Sequence, residues 1–153
     1  MPILVAKDRH SRAVWAFVVP AKGVQEPYGV KKLLEALQWT GYRRLILKSD
    51  QEPSIRAVCD QVKQQLHGDI VPEAAPKERH EKSNGEAEQA VGAVAGMART
   101  LKEFVEFHIK FEIPVKHPIL AWIVDHAGNL LTFYSRGAPK DGLTPYQRLK
   151  GKP

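Results

Sequence analysis

Leu45-Ile46-Leu47-Lys48-Ser49-Asp50-Gln51-Glu52-Pro53 carries an apolar run into an acid, then through a polar turn to a proline. Three consecutive apolar residues of this kind suit a buried strand. Proline has no N–H and a preset φ, so it fits the first position of a helix. Ile55, Val58, Cys59, Val62 and Leu66 follow at helical spacing and give that helix one apolar face. The stretch therefore predicts a strand over 42–49, a turn holding Asp50, and a helix opened by Pro53.

Working outward from it, the hydrophobic period switches repeatedly between strand and helix. Ile3-Leu4-Val5-Ala6 and Val14-Trp15-Ala16-Phe17-Val18-Val19 flank the charged turn Lys7-Asp8-Arg9-His10-Ser11-Arg12 and predict an antiparallel hairpin. Pro27 suits a helix start, with Val30, Leu33, Leu34 and Leu37 on its inner face. Asp69-Ile70-Val71-Pro72 is a short strand that proline places near an edge. Residues 74–84 have no apolar period and read as a mobile loop. A long helix is expected from Gly85 to about His108, with Ala87, Val91, Val94, Ala98, Leu101 and Val105 on one side. Another is expected from Ile119 to Tyr134, and Pro145 starts a last short turn. Strands alternating with helices imply an α/β sheet with helices on its faces.

At 153 residues the chain fits a single domain. Its one cysteine, Cys59, excludes an internal disulfide framework and a Cys-based zinc module. No apolar run approaches the ~20 residues that span a bilayer, and a nuclear or cytoplasmic location without membrane contact is expected. The six histidines lack paired ligand spacing, and no glycine-rich phosphate loop or other small-molecule cofactor motif occurs. A net charge of +6 favours an anionic partner such as DNA.

Two acids stand out. Asp50 closes a strand, and Glu88 lies in Ser83-Asn84-Gly85-Glu86-Ala87-Glu88-Gln89-Ala90-Val91, at the start of the long helix. A strand running into an acid, joined with a carboxylate from the first turn of a later helix, is how two-metal nucleases build a site. The plainer reading of Asp50 is a turn or cap acid ahead of Pro53. Glu86 competes with Glu88, since helix dipoles favour acids in any first turn. The two point roughly 200° apart on a helix, and Glu88 shares the small-residue side with Gly92 and Ala95.

These motifs, with Gly142-Leu143-Thr144-Pro145-Tyr146 near the end, resemble in order and spacing the catalytic core of retroviral and retrotransposon integrases. The likeness is nearest to copia-type polyproteins. It implies an RNase H-like mixed sheet flanked by helices over residues 1–136, followed by a basic Pro/Gly-rich tail over 137–153. By position it makes Asp50 and Glu88 the second and third catalytic carboxylates, 88 − 50 = 38 residues apart. They would ligate Mg²⁺ or Mn²⁺ in DNA strand transfer. In the family a central strand carrying the first acid precedes the hairpin, so the resemblance further implies a domain truncated at its N-terminus. Asp8, the acid nearest that position, reads as a turn residue among Lys7, Arg9 and Arg12. Arg99, Lys102, Arg136, Lys140, Arg148, Lys150 and Lys152 are the candidates for DNA phosphate contact, with Asp141 opposing the tail. A homodimer is possible through the Trp122 helix, as the family commonly dimerises through this domain. The alternative is a DNA-binding or self-associating module that has lost the chemistry.

Overall fold

The computed structural model describes residues 1–74, 85–137 and 140–151. Of the loop expected over 74–84, residues 75–84, with His80, Ser83 and Asn84, lie outside the described residues, as does Lys152, whereas Ala74 closes a strand. In chain order the elements are β1 (Ile3–Lys7), β2 (Val14–Val18), α1 (Tyr28–Thr40), β3 (Arg44–Ser49), α2 (Pro53–Gln65), β4 (Asp69–Ala74), α3 (Gly85–Ile109), α4 (Ile119–Tyr134) and α5 (Pro145–Lys150). The chain divides into two compact units, residues 1–4 with 19–86 and residues 5–18 with 87–153.

In the first unit β3 and β4 pair in parallel, in register from Arg44↔Asp69 to Ser49↔Ala74. Parallel neighbours need a crossover, and α2 supplies it, with Pro53 in its first turn. Its buried residues Val58, Cys59 and Val62 are those the spacing picks out. The connection back into β4 is tight. A Cβ on Gly68 would stand 2.8 Å from the Arg43 carbonyl oxygen, so only glycine fits there. Helix α1 follows Pro27 and ends on Gly41, whose left-handed φ of 76° lets its N–H reach the Gln38 carbonyl. The expected burial of β3 is corrected. Leu45 and Leu47 are half-buried, whereas Ile46 is 67% exposed. A sheet covered on one face alternates inward and outward residues, and an apolar triplet does not announce how many faces are covered.

The second unit is built around the hairpin. β1 and β2 form a two-stranded sheet. Bonds from Asp8 N–H to the Ala13 carbonyl and from Val19 N–H to the Pro2 carbonyl bracket it in the antiparallel sense. The Asp8 carboxylate accepts from the His10 and Ser11 N–H groups and from the Ser11 hydroxyl at 2.5 Å. This holds the turn in which Arg12 takes a positive φ of 69°. Ala90 and Val94 of α3 close a core with Val14, Ala16 and Val124. The inner face of α3 therefore begins at Ala90. Ala87 and Val91, expected inside, are exposed.

Helix α4 covers the edge of β2. The Thr132 hydroxyl accepts from the Val14 N–H and donates to the Val14 carbonyl, both at 2.8 Å. Gly128, one turn earlier, permits the approach, since a Cβ there would lie 3.0 Å from the Ala16 nitrogen. Helix α5 starts on a full capping box, with Thr144 and Gln147 each satisfying the other's backbone N–H.

Candidate functional site

Asp50 stands immediately beyond β3 and is exposed. Its Oδ1 accepts the Glu52 N–H at 3.1 Å, and its carbonyl accepts the Ser49 hydroxyl at 3.1 Å. These bonds place the acid in the turn that enters α2. Its neighbour Glu52 receives Ser54 Oγ at 2.7 Å and Lys22 Nζ at 3.0 Å. The Ser54 hydrogen bond and the Lys22 ammonium hold the Glu52 carboxyl below its usual range. Sequence reasoning passed over this cluster, although Glu52 and Ser54 flanking a helix-opening proline signal it. Cys59 lies buried near Ser49 and Asp50, and burial pushes its thiol up, away from the nucleophilic thiolate.

Glu88 belongs to the second unit and sits in the first turn of α3. It is exposed, as are Gly92 and Ala95 farther along the same side. Glu86 is half-buried, on the line that continues into Ala90 and Val94. The helical angle read from the sequence thus separates the two acids as the structure does. Gln89 beside Glu88 accepts Lys7 Nζ at 3.5 Å. Among the described residues, no three or more His, Cys, Asp and Glu side chains gather in a way that could hold a metal ion. Asp8, engaged in the hairpin turn, is not free to join such a group.

The basic candidates separate into groups. Arg99, Arg136 and Lys140 are exposed. Lys102 is half-buried and bonded to Glu106 at 2.5 Å, while the same Glu106 oxygen also accepts the Ile113 N–H. Lys150 is half-buried in the last turn of α5. Arg148 has a different employment from the expected phosphate contact. Its side chain is 8% exposed. The guanidinium donates to both Asp141 oxygens, at 2.8 and 2.7 Å, and to the Ser11 and Leu143 carbonyls. That fork raises the affinity of Arg148 for its proton and holds the Asp141 carboxyl far below its usual range. Trp122, on the helix named for a possible homodimer, is 58% exposed and stacks on His126 with centroids 4.7 Å apart.

No protein-family model matches the chain. No curated protein matches it. Solved structures are. The simian T-cell lymphotropic virus intasome, determined with the PP2A regulatory subunit B56 gamma, matches over 97% of this chain with a TM-score of 0.66 and 14% identity. This chain spans 48% of the intasome chain, about half its length. The catalytic core domain of BIV integrase matches over 95% of this chain and 82% of its own, with a TM-score of 0.54 and 20% identity. The likeness is one of fold: the chain has the mixed α/β, RNase H-like architecture of a retroviral integrase catalytic core. Among the described residues, no helix is long and apolar enough to cross a membrane.

Proposed function

We propose that this chain is an integrase-derived domain that binds DNA, with Asp50 and Glu88 as metal ligands for strand transfer. The observation that carries the reading is the integrase-core fold with an exposed acid at the end of β3 and another in the first turn of α3. The donor set suits the implied ion. Mg²⁺ prefers carboxylate oxygen and is often held by one or two carboxylates, with water and substrate phosphate completing its shell. Asp50 and Glu88 would hold it, and the bound ion would supply charge stabilisation for phosphoryl transfer. Exposed Arg99, Arg136 and Lys140 supply sequence-independent phosphate contact, and a second copy of the chain is a further partner in this reading.

A second reading, a binding module without catalysis, is favoured by the occupation of Asp50 and Asp8 in local turns. Joining of labelled DNA ends to a target duplex in Mg²⁺ or Mn²⁺ separates the two. Strand transfer should fall by about 10²–10³ in Asp50→Asn and in Glu88→Gln, with duplex affinity by filter binding unchanged. Absent joining by the wild-type chain with duplex affinity intact would favour the binding module, and joining that Asp50→Asn leaves unchanged would remove Asp50 from the chemistry.

A further inference from the structure

Helix α4 gives its inner face to aliphatic and small side chains and its outer face to aromatic ones. Val124, Gly128 and Thr132 meet β2, and Ile123 and Ala127 are buried as well. Trp122, His126, Asn129 and Phe133 fall within about 60° of one another around the helix, and Val124 lies about 200° round from Trp122. The row therefore faces away from the sheet that the opposite side of α4 covers. Trp122 is 58% exposed and lies nearly parallel to the His126 ring, with centroids 4.7 Å apart and 13° between the planes. Phe133 is 38% exposed, and its ring centroid stands 4.7 Å from that of Tyr146 in α5. From Trp122 to Phe133 the row spans roughly 16 Å.

The composition of the row defines its occupant. The large apolar side chains that α4 exposes are Trp122, Phe133 and Tyr134, all aromatic, whereas its isoleucines and leucines are buried or half-buried. A seam for a second helix carries aliphatic knobs, and this row has none. Ring faces stack on nucleobases instead, and do so whatever the base, since every base has a π-face. Charge agrees with that occupant. Lys116 precedes α4, Arg136 and Lys140 follow it, and all three are exposed, so cations stand beyond both ends of the row. Within α4 the one acid is Asp125, at the flank of the row. A duplex hides its base faces in its own stack, so exposed rings select an unpaired strand. We infer that the outer face of α4 binds single-stranded nucleic acid, with bases stacked on Trp122 and Phe133 and phosphates neutralised by Lys116, Arg136 and Lys140. The surface shares Arg136 and Lys140 with the DNA-binding reading and rests on it to that extent, but it uses neither Asp50 nor Glu88.

The test titrates the whole chain into a fluorescein-labelled oligothymidylate of about twelve nucleotides. Fluorescence anisotropy should show saturable binding, and the unlabelled oligomer should quench tryptophan emission. An oligomer of equal length whose sugars carry no bases keeps the phosphates and should bind at least about fivefold more weakly. Trp122→Leu keeps an apolar side chain and removes the ring. It should weaken oligothymidylate binding at least about fivefold and remove most of the quenching, with duplex affinity unchanged. Oligouridylate titrated in parallel tells a DNA strand from an RNA strand, and tighter binding of either supports the inference. Should Trp122→Leu fail to fold by circular dichroism, the oligomer without bases decides. If duplex still binds while the missing bases and Trp122→Leu change nothing, the inference falls and the DNA-binding reading stands. Binding of neither duplex nor single strand overturns both. A dimer, seen by sedimentation, that Trp122→Leu dissolves without loss of oligothymidylate affinity assigns the row to a second copy and also overturns the inference.

Discussion

Arg148 shows how a residue's employment depends on what surrounds it. A basic side chain in a basic segment suggests a phosphate contact, yet its five donors meet Asp141, Leu143 and Ser11. Arg136 and Lys140 remain exposed. The salt dependence of DNA binding should separate them. Arg136→Ala and Lys140→Ala should each flatten the log–log slope by about 0.9. Arg148→Ala should leave that slope alone and lower the thermal midpoint by roughly 3–10 °C. Asp141 adds a pH dependence with a definite sign. Its folded-state pKa is depressed by Arg148 and the Leu143 N–H. Its contribution is therefore present above the unfolded value of about 3.9 and is lost as pH falls toward the folded value. Acid unfolding followed by circular dichroism should start at higher pH in the wild type than its neutral-pH stability predicts, and Asp141→Asn should remove that extra acid sensitivity.

At the scale of elements, the edge of β2 is where helix and strand depend on each other. A strand edge with unpaired N–H and C=O groups must be covered, and α4 covers it with one hydroxyl. Thr132→Val keeps the volume and leaves both buried Val14 groups unsatisfied, so urea unfolding should show a loss of about 2–4 kcal/mol. Gly128→Ala should also destabilise, although alanine exceeds glycine in helix propensity by about 1 kcal/mol. The added Cβ meets the Ala16 nitrogen at 3.0 Å and the Val14 oxygen at 3.4 Å, and strand backbone has little room to yield. An increase in stability for Gly128→Ala would mean that α4 lies farther from β2. The elements themselves were legible. Pro27, Pro53 and Pro145 mark helix starts by local stereochemistry, and the observed helices begin there. Burial was less legible. The apolar triplet of β3 predicts enclosure, while Ile46 faces outward because one face of its sheet is open.

At the scale of the whole molecule, Asp50 and Glu88 come from separate units of one integrase-like fold. If both serve strand transfer they act as a unit, and the double variant Asp50→Asn/Glu88→Gln should lose no more activity than either single one. Additive losses would assign them independent roles. The sequence by itself determined the order of elements, the proline helix starts, the turn role of Asp8, and the opposite sides taken by Glu86 and Glu88. Those depend on backbone stereochemistry and helical angle over a few residues. Only the tertiary structure decided that Arg148 turns inward to Ser11, that Thr132 closes the edge of β2, and that Ile46 is left outside. Those outcomes rest on partners more than a hundred residues distant in sequence for Arg148 and Thr132, and on which sheet face receives a helix for Ile46. Local periodicity encodes neither, because the free energy that selects them is gained only when distant segments exclude water together.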